Sequence, residues 1–118
     1  MTKRVTIDRP ITLEERSVIR ATLERAAVSP GYESLATKLE HLRAVERCGC
    51  GCDSVEFYID RDRPSEPISD GIGQTAAGGT VGIIVWGTEE AVTGIEVYDL
   101  GAGHGDLKLP VPSSIRAW

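Results

Sequence analysis

Near Arg43 the spacing of apolar residues changes from one every three or four positions to one every second position. No other feature constrains the fold of this chain as strongly, because the first spacing belongs to helices and the second to half-buried strands. Before the change, Thr12-Leu13-Glu14-Glu15 has the form of a capping box, with Thr12 as N-cap and Glu15 reaching back to it. Ile19, Leu23 and Ala26 then recur at helical spacing, leaving Glu14, Arg16, Arg20, Glu24 and Arg25 for solvent. Ser29-Pro30-Gly31 stops that helix, and Tyr32, Leu35, Leu39 and Leu42 mark one side of a second. The predicted helices cover residues 13–28 and 32–42.

After the change, Val55, Phe57 and Ile59 alternate with Glu56, Tyr58 and Asp60. Thr80–Trp86 is apolar at nearly every position, Thr93–Tyr98 turns Ile95 and Val97 inward, and a weaker strand is expected around Ile68–Gln74. Gly101–Trp118, rich in glycine and proline, is expected to be irregular. Two helices followed by hairpin-linked strands predict one α+β domain over residues 1–118, with both N-terminal helices on one face of a four- to five-stranded antiparallel sheet.

A chain of 118 residues that is 41% apolar can bury an ordinary core, built here on Val, Ile, Leu and Ala since there is a single Phe. The longest apolar run, Val81–Trp86, is far short of a membrane span. The basic start, Lys3 and Arg4, has no apolar stretch behind it, so a cytoplasmic protein is expected. Three cysteines, an odd number, argue against a disulfide framework and for reduced thiols. The net charge of −5 is uneven: Met1–Arg47 carries +2 and Cys48–Trp118 carries −7. The acidic half disfavours nucleic acid and suits a basic partner.

All three cysteines fall in Cys48-Gly49-Cys50-Gly51-Cys52. On one continuous strand they would share a face with Glu46, Glu56 and Tyr58, opposite Val55, Phe57 and Ile59. That would put small apolar thiols on the solvent side, against their preference for burial. The strand is therefore expected to break here, with glycines allowing a bend between an Arg43–Cys48 strand and a Val55–Asp60 strand. A metal site needs the same break. Tetrahedral zinc holds its sulfurs about 3.8 Å apart, whereas alternate residues of an extended strand lie roughly 6.5–7 Å apart, too far to bridge. Zinc would take Cys48, Cys50 and Cys52 with His104 as fourth ligand; copper(I) could use the three thiolates alone. Thiol redox chemistry is the remaining active reading. Zinc sites usually pair two separated knuckles and only one occurs here, so the sequence favours small packed residues beside a bend, with no cofactor.

Arg47-Cys48-Gly49-Cys50-Gly51-Cys52 followed by Asp53-Ser54-Val55 resembles a segment of a group of small, functionally uncharacterised bacterial proteins, mostly from GC-rich actinobacteria. That group has a similar helical start, a Cys-Gly-Cys segment entering a strand, and an ending like Thr93-Gly94-Ile95-Glu96-Val97-Tyr98 before a proline. A proline often follows its last cysteine, where Asp53 stands here. No activity is known for the group, so the resemblance implies no catalytic residues.

Other motifs fail on context. Gly71-Ile72-Gly73-Gln74-Thr75-Ala76 imitates a dinucleotide fingerprint but precedes a strand rather than a helix. Asp60-Arg61-Asp62 has too few ligands for a calcium loop, and His41 falls on the polar side of its predicted helix. A helix-turn-helix reading of the first two helices finds little beyond Lys38 to contact phosphates or bases within residues 32–42, with Glu33 and Glu40 against it. His104 and Asp106 share a glycine-rich loop, read as a solvated surface turn. With no complete catalytic constellation, the chain is expected to be a non-enzymatic binding module, immunity- or antitoxin-like, for a basic protein partner. The alternative is zinc or copper(I) binding, or thiol redox, at Cys48, Cys50 and Cys52.

Overall fold

The computed structural model of the chain describes residues 4–58 and 64–118. Its strands are β1 (Arg4–Pro10), β2 (Ala27–Val28), β3 (Arg43–Cys48), β4 (Val55–Glu56), β5 (Glu66–Gln74), β6 (Thr80–Gly87) and β7 (Val92–Asp99). Among the described residues a single α-helix, α1 (Leu13–Arg25), lies between β1 and β2. The strands form one antiparallel sheet in the order β1-β3-β4-β7-β6-β5-β2. The architecture is therefore mostly β. The expected α+β arrangement of two helices on four or five strands is corrected on both counts among the described residues.

The capping box forms as its residues dictate. The Glu15 amide donates to Thr12 Oγ1 at 3.0 Å, and the Thr12 amide donates to Glu15 Oε1 at 2.9 Å. Arg9, at the end of β1, holds the same carboxylate with two hydrogen bonds of 2.9 Å. Burial pushes the Glu15 carboxyl up. The hydrogen bonds from Arg9 and from the Thr12 amide outweigh that and leave its pKa below the usual value.

The helix ends at Arg25 rather than near residue 28 because Ala26 turns extended, and Ala27–Val28 pairs with Asp70 and Ser69 at the sheet edge. The buried Ser69 hydroxyl stands within hydrogen-bonding distance of the Thr22 and Ala27 carbonyls, at 3.2 and 3.0 Å. The predicted second helix is a 3-10 turn, Glu33–Thr37, followed by irregular chain. Leu35 and Leu39 reach the core as their spacing implies. A segment this short that also contains Ser34 and Thr37 is a marginal helix former, and the Thr37 hydroxyl donates to the Ser34 carbonyl at 2.8 Å.

On the inner face of the sheet, Val81, Ile83 and Val85 of β6 are fully buried beside Ile95 and Val97 of β7, with Val18 and Ile19 of α1 in the same core. The inner face of β5 instead offers Ser69, Gly71 and Gly73. A Cβ at Gly73 would come within 2.8 Å of Pro110 and 3.0 Å of Ser114, so small residues let the C-terminal segment lie against the sheet. Arg116 joins there by a bridge to Ile72. That packing is the physical use of the Gly71-Ile72-Gly73 run.

By strand alternation the outer face carries Arg4, Glu46, Glu56, Ile84, Trp86, Glu96 and Tyr98, and no helix crosses it among the described residues. The Tyr98 ring lies over Gly82, and its hydroxyl donates to Asp70 at 2.9 Å. Burial, then that hydrogen bond to a carboxylate, push the phenol pKa up to about 12.

Candidate functional site: the cysteine hairpin

The expected break in the strand is present. β3 ends at Cys48, the chain turns through residues 49–51, and Val55–Glu56 returns antiparallel, pairing Arg47 with Val55 and Glu46 with Glu56. Gly51 takes φ +93°, a conformation that a side chain would strain. The expected Val55–Asp60 strand is shorter than predicted, ending at Glu56 with Phe57 in a bend and Tyr58 outside any strand; Ile59 and Asp60 lie outside the described residues.

The turn draws the three sulfurs together, all within 4.8 Å of one another. Cys48 Sγ and Cys50 Sγ are 2.9 Å apart, and the Cys52 amide donates to Cys50 Sγ at 3.4 Å. Cys50 is exposed, while Cys48 and Cys52 are half-buried; none is disulfide-bonded. Of the small packed residues expected beside a bend, Cys50 departs in being exposed, while Cys48 and Cys52 stay half-buried.

The two residues after the cysteines hold the loop. The Asp53 amide donates to the Leu107 carbonyl at 2.9 Å, and Asp53 Oδ2 accepts from the Leu109 amide at 2.8 Å. Ser54 Oγ accepts from the Val97 amide at 2.9 Å, taking the place of a strand partner just before β4 begins. Lys108 Nζ donates to the Gly51 carbonyl at 3.2 Å. Sequence reasoning passed over Asp53 and Ser54. Their only signal was position, two hydrogen-bonding residues directly after a glycine-hinged turn.

Where β4 stops and β7 continues, a groove of about 510 Å³ opens, lined by the three cysteines together with Glu56, Glu96 and Tyr98. Glu56 lies against Gly94, where a Cβ would come within 2.8 Å of its carboxylate. Burial raises the Glu56 pKa and the carboxylates of Glu46 and Glu96 raise it further, with Arg4 opposing from 3.4 Å.

His104 begins a 3-10 turn, His104–Asp106, that leads directly into Leu107 at the groove. Its side chain lies outside the described residues. Asp106 bonds to the Thr75 hydroxyl, so its carboxylate is engaged away from the cysteines. No helix among the described residues is long and apolar enough to cross a membrane.

No protein-family model, curated protein or solved structure matches this chain. The resemblance carried by the cysteine segment is thus not shown as a family relationship; what stands is the close cluster of the three thiols.

Proposed function

We propose that this protein binds a thiophilic metal ion through Cys48, Cys50 and Cys52, with copper(I) the ion the site suits best. The observation that carries the reading is the mutual approach of three sulfurs within 4.8 Å on an accessible, anchored turn. A tetrahedral zinc site sets its sulfurs about 3.8 Å apart, so small rotamer changes bring these thiols to metal-binding separation. Copper(I) accepts soft thiolate ligands and needs no more than three. Zinc needs a fourth ligand, for which His104 is the candidate the sequence names. Because thiols must lose their protons to bind, uptake of the ion releases protons and weakens as pH falls.

The test is an anaerobic titration of untagged, reduced protein with copper(I) against a competing chelator, alongside elemental analysis of the purified chain. One equivalent bound, with affinity falling at lower pH, is the expected result. A chain that takes up no copper(I) and carries less than about a tenth of an equivalent of any metal would sink the proposal.

The outer sheet face supports a second reading, a basic protein partner. Glu46 and Glu56 stand directly opposite each other across β3 and β4, an unfavourable pairing for like charges. Glu96 adds a third carboxylate, and Arg4 reaches both Glu46 and Glu56 at 3.4 Å. A cationic partner would relieve that repulsion. In a pull-down, a partner held by the wild-type chain at modest salt and lost by the Glu46→Lys/Glu96→Lys chain supports this reading. Equal retention by both chains overturns it.

A further inference from the structure

We propose that Cys48 and Cys50 form a reversible disulfide by exchange with a low-molecular-weight disulfide, making the hairpin loop a thiol–disulfide switch. The inference uses the same thiols as the metal site but does not require that a metal binds. Alternate cysteines on an extended strand cannot bridge. Here the premise of an extended strand does not hold, because β3 ends at Cys48 and a turn follows. The two sulfurs stand 2.9 Å apart, about 0.9 Å longer than a disulfide bond. Closing that gap needs only small rotations of the Cys48 and Cys50 side chains and of the backbone at Gly49, the residue between them.

The two thiols differ in ways that assign their roles. Cys50 is exposed, flanked on both sides by glycine, and therefore open to an incoming disulfide. The Cys52 amide donates to its sulfur at 3.4 Å and so orients it within the turn. Cys48, half-buried at the end of β3, is positioned to attack second. The Cys50 thiolate attacks one sulfur of the external disulfide, forming a mixed disulfide and expelling one thiolate. The Cys48 thiolate then attacks the Cys50 sulfur and expels the other. Two protein thiols are oxidised to one disulfide while the external disulfide is reduced to two thiols. The two protons pass from the protein thiols, through solvent, to the departing thiolates. Oxidation leaves only Cys52 as a thiolate ligand, so the oxidised loop loses the donor set proposed for copper(I).

The experiment equilibrates metal-free, full-length chain anaerobically with mixtures of reduced and oxidised glutathione, then traps free thiols by alkylation for mass spectrometry. All three cysteines fall on the one peptide that trypsin releases between Arg47 and Arg61. Fragment spectra of that peptide show which cysteine carries the label. The expected product has lost two hydrogens and carries the label on Cys52 alone. The Cys52→Ser chain should oxidise in the same way, and the Cys50→Ser chain should stop at a glutathione adduct. A wild-type bond that involves Cys52, glutathione adducts alone, or thiols that stay reduced in excess oxidised glutathione would each overturn the proposal. Titrating the reduced wild-type chain with copper(I) keeps the two readings separate. A chain that binds the ion but never closes the bond defeats only this inference, and one that closes the bond but binds no ion defeats only the metal site.

Discussion

Replacing Cys50 with serine lowers copper(I) affinity by about a hundredfold to a thousandfold. Structural zinc sites with four protein ligands contribute about 10–16 kcal/mol in all, or about 2.5–4 kcal/mol for each ligand, and a thiolate–copper(I) bond is taken to be of similar size. Each 1.4 kcal/mol is tenfold in binding, so one missing thiolate accounts for that range. The fold should survive the change, because Cys50 is exposed and the core lies elsewhere, around Val81, Ile83, Val85 and α1. Asp53 and Ser54 also hold the loop without metal, through bonds to Leu107, Leu109 and Val97. The competition titration should therefore show a large loss of affinity beside an unchanged melting temperature of the metal-free chain. An affinity within about threefold of wild type would remove Cys50 from the ligand set.

Replacing Arg9 with alanine destabilises the fold by about 2–3 kcal/mol at neutral pH, a fall of about 10 °C in melting temperature. Its two bonds to Glu15 satisfy a carboxylate whose side chain is only 5% exposed, while the Arg9 side chain is 38% exposed. Loss of a partner from a fully buried pair costs about 3–5 kcal/mol. This half-open pair belongs at or below the lower end of that range, since the Thr12 amide still donates to Glu15.

The pH dependence gives a second readout. The Glu15 pKa lies below its usual value, so its stabilising contribution is present above the unfolded value of about 4.3 and is lost as pH falls through the folded pKa. In the Arg9→Ala chain the lowering by Arg9 is lost while burial remains, so the folded pKa rises relative to wild type and protonation relieves more of the buried charge. The stability gap between the two chains should narrow as pH falls toward about 3 in urea denaturation. A constant gap across that range would mean that Arg9 acts by packing alone.

The parts of the fold legible in the sequence are those set by near neighbours. The capping box needs only Thr12 and Glu15, and it starts the helix where expected. β6 and β7 run within a residue of their predicted bounds, because a period of two fixes both a strand and its buried side. The break at Cys48 was legible for the same reason: continuing the strand would have put the thiols and the valine–phenylalanine set on opposite faces.

What the sequence could not fix depends on partners far along the chain. β1 went unrecognised because Val5 and Ile7 are only half-buried on an edge strand, which exists by pairing with β3 some forty residues later. Tyr32–Leu42 has the apolar spacing of a helix, yet tertiary packing buries Leu35 and Leu39 without one. At the site, residue types determined which groups could act, three thiols hinged by glycines. Their approach within 4.8 Å, and the anchoring of Asp53 and Ser54 on segments more than forty residues away, were decided by tertiary structure. Periodicity reports which side of an element faces the core, but the separation between two sulfurs in a turn depends on backbone angles that distant hydrogen bonds hold in place.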